Sequence, residues 1–409
     1  MNILMLGRCL PPPRRAVRST REYHFARHLA RTHRLTLAFI TDNPDAAGAI
    51  SALRSDFGDL EFAVVPRTWK SLSSALRLVT GESCTLSYFR SEALRTRLAD
   101  RLKRARYDLV LVSSSSMIQY ALEIDPTIPM VMDFAGVDSE WWLRQAAPGT
   151  FGASRFFRTE ATRLRLAETA AARRAVRCVV ETSAAGEIVR SFAPGVAAAV
   201  IPDGVAAEGA DAMSRGGKVP TVVLHAPPAG KGGLDETFVF CRTILPALRA
   251  KVPQVRLVVT SGESIVTWPS GVEVASPASD VRLLFHSHTV AVAPMMTGAD
   301  IRRAVLEPMA AGVPVVTNSQ TCAQIEGGPG RDLRVADGPD DFVGNVIELL
   351  ENRGLREELG AQGRRFVQAN FSWEASAVRF EAVLSAVGNG GAHRENGSSS
   401  QPMPATLGG

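Results

Sequence analysis

Short apolar runs alternate along the chain with longer segments in which apolar residues recur every three or four positions. The short runs, such as LVLVS and PMVMDF, are almost continuously apolar, which is typical of strands in a parallel sheet covered on both faces. The longer segments have the spacing of amphipathic helices, so the alternation predicts an α/β fold on parallel sheets. In the first half the predicted strands lie at residues 2–6, 35–41, 61–65, 109–113, 129–134 and 178–181.

The same pattern restarts after residue 203. A polar, glycine-rich stretch, AAEGADAMSRGGK, separates the two halves, and the second half contains predicted strands at residues 220–225, 255–260, 290–293 and 314–317. Ligands of doubly wound sheets bind beyond the carboxyl ends of the strands, so a site in a cleft between two such domains is expected. The predicted organisation is an N-terminal Rossmann-like domain (1–203), a linker (204–219), a C-terminal Rossmann-like domain (220–372), a terminal helix that crosses back to the first domain (373–387) and a disordered tail (388–409).

Composition and cysteine usage narrow the class of protein. The 409 residues are 45% apolar and 21% charged, which suits an ordinary globular protein of two domains. No apolar run approaches the roughly 20 residues that span a bilayer, and the N-terminus resembles a strand rather than a signal peptide, so a cytoplasmic location is expected. The five cysteines are scattered without CxxC pairs, which argues against disulfides and a structural zinc site.

Arginines are concentrated in two stretches, residues 95–106 and 155–177, although the net charge is only +5. Such clusters are commonly solvated helix faces. The alternative is a surface for anionic lipid headgroups or for a phosphate-bearing acceptor, which predicts a peripheral contact at the inner face of the membrane. Nucleic acid is not an expected partner, because no aromatic residues are interleaved with the charges.

The most informative stretch is the run VAPMMTGADIRRAVLEPMAAGVPVV. It predicts a strand, a loop that contains Gly298, and a helix that begins near residue 300. Backbone N–H groups at the start of that helix, together with Arg302 and Arg303, could bind a diphosphate. Glu307, about a turn and a half later, could accept hydrogen bonds from ribose hydroxyls. The alternative is an ordinary amphipathic helix with Glu307 facing solvent.

This run resembles the donor-binding signature of the retaining GT-B glycosyltransferases (glycosyltransferase family 4 type, group 1), in which LEAMA.G.PVV is common and LEPMAAGVPVV stands here. DFAGVDSEWW, DVRLLFHSHTVAVAP and GRDLRVAD through ANFSWE, in this order, are most similar to the exosortase-associated (PEP-CTERM) sugar transferases across most of residues 1–387. The resemblance implies a GT-B fold and metal-independent transfer of a hexose, with retention, from a nucleotide-diphosphate sugar in polysaccharide or other glycoconjugate synthesis. The donor is expected to be UDP-linked, no further cofactor is expected, and the acceptor would be a glycan, lipid-linked or small-molecule hydroxyl.

The resemblance also implies roles for particular residues. On the donor side these are Lys231, Gly298, Arg302, Arg303, Leu306 and Glu307, of which Lys231 and Arg303 would also stabilise the leaving diphosphate. On the acceptor side they are Arg21, Ser114, Ser115, Asp138 and Ser139, with Asp138 as a catalytic residue. The serines and Asp138 follow predicted strands, where they could equally be turn formers and helix caps. Lys231 could equally be a solvated lysine in a turn.

The chain departs from the signature at Ala304, where many relatives have lysine, and at Ala299, where many have an acidic residue. Val17 stands where a glycine is expected. These departures leave open a non-catalytic paralogue that acts as a nucleotide-binding or partner protein. A non-hydrolysing sugar-nucleotide epimerase, for which His225, His286 and His288 could provide acid and base groups, is a second alternative. A dinucleotide dehydrogenase is disfavoured because no GxGxxG follows a predicted strand.

Overall fold

The computed structural model divides the chain into two units, Met1–Asp203 with Ser376–Gly409, and Gly204–Ala375. Each unit is described by itself. The structure describes residues 1–8, 21–41, 50, 53–54, 56–65, 81–146, 153–206, 217, 219–225, 231–260, 268–275, 281–294 and 301–395, and within these ranges the side chains of 153, 225, 231–236, 281, 301–303 and 389–395 lie outside the description.

A seven-stranded parallel sheet forms the centre of the first unit, counted over the described residues. Its strands are β1 (Asn2–Gly7), β2 (Arg34–Thr41), β3 (Asp59–Val64), β4 (Leu109–Ser113), β5 (Met130–Ala135), β6 (Arg177–Val180) and β7 (Ala198–Val200). The order is β3-β2-β1-β4-β5-β6-β7. All six strands predicted for this half form within a few residues of their expected positions. Five of them are apolar runs buried on both faces, whereas β3 is a partly exposed strand at the edge of the sheet.

Helices connect these strands. They are α1 (Arg21–Leu29), α2 (Cys84–Tyr88), α3 (Glu92–Arg104), α4 (Ile118–Ala121), α5 (Asp138–Gln145), α6 (Ala153–Arg174) and α7 (Ser183–Phe192). A large core cluster joins side chains of the central strands, such as Leu4, Val110 and Met132, to Ala171 of α6 and Val189 of α7. The rigid sheet therefore fixes where each connecting loop begins.

The second unit contains a six-stranded parallel sheet of order β10-β9-β8-β11-β12-β13 in its described part. Its elements are β8 (Thr221–His225), α8 (Lys231–Lys251), β9 (Arg256–Thr260), β10 (Val272–Ala275), β11 (Thr289–Ala293), α9 (Ile301–Ala310), β12 (Val315–Thr317), α10 (Ser319–Gln324), β13 (Arg334–Val335), α11 (Pro339–Glu351) and α12 (Arg353–Asn370). The two doubly wound parallel sheets confirm the predicted fold class. The sequence missed β10 and β13 because both are short edge strands without a continuous apolar run.

The last helix, α13 (Trp373–Glu395), contributes its residues from Ser376 onwards to the first unit. The ring of Phe380 stacks on Phe25 of α1 with their centroids 4.2 Å apart. Glu381 accepts hydrogen bonds from the Thr32 hydroxyl at 2.7 Å and lies 2.7 Å from the His28 ring. The helix extends eight residues beyond the predicted end at 387, and residues 396–409 lie outside the description.

Candidate functional site

In the sheet of the second unit, the direction in which successive strands are added reverses between β8 and β11. These strands are hydrogen-bonded neighbours, with Leu224 opposite Val292. The chain leaves β8 towards β9 on one side and leaves β11 towards β12 on the other. Ligands of doubly wound sheets bind beyond the carboxyl ends of the strands at such a switch point. The segments that follow the two strands lead into α8 and α9, which carry the predicted diphosphate residues.

Helix α9 is anchored to the core by one face. Val305, Leu306 and Met309 are buried in a cluster with residues of β11 and β12, whereas Glu307 keeps part of its surface exposed. Leu306 therefore lies in the core, where it holds the helix in place. Ala304, at the position of the missing lysine, is also buried, with 1% of its surface exposed. This position therefore provides no cation in place of that lysine.

The AAGVPVV part of the signature ends α9 and begins β12. The Val313 N–H donates to the Pro308 carbonyl (2.9 Å) and the Gly312 N–H to the Met309 carbonyl (2.9 Å). Gly312 has a φ of 77°, so this is a Schellman turn at a position that favours glycine. The turn sends the chain directly into β12.

Two polar side chains at the end of β12, Thr317 and Asn318, fix the end of β11. The Thr317 hydroxyl donates to the Ala293 carbonyl at 2.8 Å, and the Asn318 side-chain amide donates to the Pro294 carbonyl at 3.2 Å. Asn318 also caps α10 by accepting the Thr321 N–H at 2.7 Å. The start of the loop before α9 is therefore held from the neighbouring strand.

The remaining donor-side residues are placed by their backbone alone. Lys231 is the first residue of α8, and Arg302 and Arg303 lie in the first turn of α9. Their side chains lie outside the description, as does the whole of Gly298. Their roles remain predictions.

The histidines considered for the epimerase alternative do not gather at the switch point. His286 and His288 precede β11 and therefore lie at the amino end of that strand. The carboxyl ends of the parallel strands face the opposite way. This arrangement disfavours the epimerase alternative.

In the first unit the corresponding switch point lies between β1 and β4. Arg8 follows β1, and Ser114 and Ser115 follow β4. Ser114 has a φ of 88°, in the left-handed region, so the chain turns sharply there. Arg8 was not among the predicted site residues, although its place directly after the first strand could have indicated it.

Two glutamates of α6 are fully buried and hold the starts of two other helices. Glu160 accepts the Ser83 hydroxyl (2.7 Å) and the Thr85 N–H (2.9 Å) at the start of α2. Glu168 accepts the Ser115 hydroxyl (2.8 Å) and both the N–H (3.1 Å) and the hydroxyl of Ser139 at the start of α5.

Ser115 and Ser139 are themselves fully buried, so the structure ties these two predicted acceptor residues to Glu168. Their part in acceptor binding remains a prediction. Through their hydrogen bonds to Glu168, the two serines also fix the position of Asp138, which directly precedes Ser139. Glu168 was missed because a glutamate in an arginine-rich helix is usually solvated. Its eight-residue spacing from Glu160, about two turns, was the available signal.

Asp138 is the first residue of α5 and follows β5. Its Oδ2 atom is buried and has no hydrogen-bond partner among the described residues. Burial raises the pKa of Asp138, while the positive charge of Arg8 and the polar groups of Ser115 oppose this increase. Asp138 lies beyond the C-terminal end of β5. A carboxylate oxygen without a partner at this position is suited to accept a hydrogen bond from a ligand hydroxyl.

Arg21 lies in a buried ion pair. Its Nε and Nη2 atoms donate to the two carboxylate oxygens of Asp133 (2.9 and 3.2 Å), and Nη1 donates to the Ile201 carbonyl (2.9 Å) and to Asp203 (2.8 Å). Burial disfavours the charged form of Arg21. The negative charges of Asp133 and Asp203 outweigh this effect and raise the pKa of Arg21. The structure thus shows Arg21 tying together the ends of β5 and β7. Its predicted contact with an acceptor is not tested by this geometry.

Comparison with known families and structures agrees with this architecture. Residues 233–352 match the model of the family described as glycosyl transferases, group 1. TarM has a TM-score of 0.62 at 9% identity over 95% of this chain and 98% of its own. Sucrose-phosphate synthase from Thermosynechococcus elongatus has a TM-score of 0.60 at 14% identity over 95% of this chain and 100% of its own.

The fold is GT-B. A third GT-B structure, HepE of Anabaena in complex with UDP and glucose, has a TM-score of 0.56 at 14% identity over 94% of this chain and 100% of its own. The segment that matches the group 1 family includes α8 from residue 233 onwards, α9 and the LEPMAAGVPVV run, and Lys231 lies just before it. The search of curated proteins gave no match. Among the described residues, no helix combines the length and the apolar character that crossing a bilayer requires.

Proposed function

We propose that the protein is a retaining glycosyltransferase that moves a hexose from a nucleotide-diphosphate sugar, UDP-linked, to a hydroxyl acceptor. The observation that supports it is the match of residues 233–352 to the group 1 glycosyltransferases, in a domain whose switch point leads into α8 and α9. Glu307 on α9 would accept hydrogen bonds from the ribose hydroxyls of the donor. The proposed reaction belongs to polysaccharide or other glycoconjugate synthesis and uses neither a metal nor a further cofactor.

In the proposed reaction the bond between the anomeric carbon and the diphosphate oxygen breaks, and a bond from that carbon to the acceptor oxygen forms. The hydroxyl proton passes to the departing diphosphate. Negative charge grows on the diphosphate in the transition state, so cations and helix N-terminal amides near it lower the barrier. Arg303 and Lys231, in the first turns of α9 and α8, are assigned to this charge.

On the acceptor side the proposal rests on Asp138. Its unpartnered Oδ2 would accept a hydrogen bond from the acceptor hydroxyl and orient it. Burial raises the pKa of Asp138, and the positive charge of Arg8 opposes that increase by favouring the ionised carboxyl. The fixed positions of Ser115 and Ser139 on Glu168 hold the start of α5, and with it Asp138, in place.

The alternative of a non-catalytic paralogue is favoured by Ala304, because this buried position provides no cation in place of the usual lysine. The two proposals agree that the second unit binds a nucleotide. They differ on whether the bound donor is consumed.

A stability screen against nucleoside diphosphates and nucleotide sugars tests the proposal. A ligand at 100 times its Kd should raise the free energy of unfolding by about 2.7 kcal/mol.

Glu307→Ala should weaken UDP binding in calorimetry by roughly 10- to 150-fold, because a hydrogen bond to a charged acceptor is worth about 1.5–3 kcal/mol. Glu351→Ala, at an exposed glutamate of α11, is the matched control and should leave the affinity unchanged. Unchanged affinity in Glu307→Ala would place the ribose elsewhere.

Arg303→Ala is expected to lower turnover by at least about tenfold while changing UDP affinity less, because its charge acts mainly in the transition state. Residue 303 lies four positions before Glu307 and therefore on the same face of α9, whereas Arg302 does not. Steady-state turnover and nucleotide affinity are compared for Arg302→Ala, Arg303→Ala and Lys231→Ala. If none of the three lowers turnover, the diphosphate site is wrong. If the unaltered protein binds donor but consumes none, the non-catalytic alternative is correct.

A further inference from the structure

Helix α6 has an exposed surface that carries positive charge alone. Its 22 residues include six arginines and two acidic residues, Glu160 and Glu168. Both glutamates are fully buried and accept hydrogen bonds from other helices, so neither contributes to the exposed face. That face presents Arg155, Arg158 and Arg173.

These three arginines have no ion-pair partner among the described residues, whereas Arg165 of the same helix pairs with Glu140. Arg155 also lies in the first turn of α6, where the helix dipole disfavours a cation. The position of Arg155 therefore costs the helix stability rather than adding to it. Binding of an external anionic partner would account for these exposed arginines.

The other arginine-rich stretch, residues 95–106 on and just after α3, is different because three of its six basic residues form ion pairs. Arg95 binds Glu92 at 2.9 Å and Glu123 at 2.6 Å, Arg101 binds Asp59 at 2.7 Å, and Lys103 lies 3.5 Å from Asp100. Glu92 and Asp100 are themselves exposed, so the outer face of α3 has mixed charge. The structure thus separates two clusters that look alike in the sequence.

Exposed apolar side chains accompany the free arginines of α6. Leu166 follows Arg158 by eight residues on the same ridge and is 69% exposed. On α5, which packs along α6, Trp141 is 54% exposed and Leu143 is also exposed. Ring contacts run from Trp141 to Trp142 (4.9 Å between centroids) and on to Phe156 beside Arg155 (6.0 Å). Tryptophan, leucine and arginine on one surface are typical of segments that lie in a bilayer interface.

We propose that the surface formed by Trp141, Leu143, Arg155, Arg158 and Leu166 binds an anionic lipid bilayer. The arginines would contact lipid phosphates, and the tryptophan and leucine side chains would enter the boundary of headgroups and acyl chains. Charge complementarity selects the anionic membrane, and the exposed apolar residues favour it over a soluble polyanion such as RNA. Vesicle binding requires no donor, so this proposal can fail or succeed independently of the proposed transfer reaction.

Sedimentation with vesicles tests it, using phosphatidylcholine alone and an equal mixture of phosphatidylcholine and phosphatidylglycerol. The unaltered chain should bind the anionic vesicles more tightly, and the preference should fade between about 0.05 and 0.5 M salt as screening increases. Arg155→Gln with Arg158→Gln should weaken this binding by about fivefold for each arginine. Trp141→Ser should weaken it by about tenfold, since less apolar surface is removed from water.

The matched control is Arg104→Gln with Arg106→Gln, which removes the same charge from exposed positions at the end of α3. Circular dichroism confirms that each variant is folded. Equal losses in the two double variants, or equal binding to neutral and anionic vesicles, would overturn the proposal. If the Trp141→Ser variant keeps full binding to the anionic vesicles while the α6 variant loses it, the attraction is to charge alone, and the proposed entry of the apolar side chains into the bilayer is wrong.

Discussion

Replacing Arg21 by alanine is expected to lower the free energy of unfolding of the first unit by about 3–5 kcal/mol. Arg21 and Asp133 are 5% and 2% exposed, and the guanidinium binds both carboxylate oxygens of Asp133. The alanine variant leaves the Asp133 carboxylate buried without its partner, and it also removes the contact of Arg21 with the Ile201 carbonyl. Loss of stacking against the Phe25 ring, whose centroid lies 4.6 Å away, adds to the cost.

Urea unfolding followed by circular dichroism measures this effect. Arg256→Ala is the control, because that arginine forms an exposed pair with Glu273 and should contribute no more than roughly 0.2–1 kcal/mol. The double variant Arg21→Met with Asp133→Asn removes both charges and should be more stable than Arg21→Ala. If Arg21→Ala and Arg256→Ala unfold alike, the pair around Arg21 does not tie β5 to β7 in solution.

Asp138→Asn is expected to reduce turnover by roughly 100-fold in an active enzyme, with UDP affinity unchanged. The amide keeps the size of the side chain but loses the charge that would hold the acceptor hydroxyl. Burial raises the pKa of Asp138, so the carboxylate becomes protonated at a higher pH than an ordinary aspartate. Turnover should therefore fall as the pH decreases through that raised pKa, and it should be retained above it.

The pH profile distinguishes this role from simple damage to α5. The acidic limb of turnover should disappear in Asp138→Asn, and the residual activity should vary little over the same range. Glu140→Gln makes the same change of carboxylate to amide two residues along α5 and should keep both the limb and most of the turnover. An acidic limb that persists unchanged in Asp138→Asn would assign the titration to another group.

The sequence by itself determined the two parallel sheets. Strands such as LVLVS are buried on both faces and are therefore continuous apolar runs in the sequence. Such a strand can be recognised from its own residues, without knowing which strands lie beside it. The turn at Gly312 is equally local, because a Schellman cap is built from consecutive residues. Strands β10 and β13 escaped prediction because they are only four and two residues long and bury too little to leave a pattern.

The tertiary structure alone decided which polar residues are partners. Arg21 meets Asp133 and Asp203 across 112 and 182 positions of sequence, and Glu168 meets Ser115 across 53. No local periodicity records such distances, since they follow from the order of strands in the sheet. The same holds for the two arginine stretches. Their composition is alike, but the folded chain brings carboxylates to α3 and buries those of α6. Within the described part of the chain, this difference leaves Arg155, Arg158 and Arg173 of α6 without ion-pair partners.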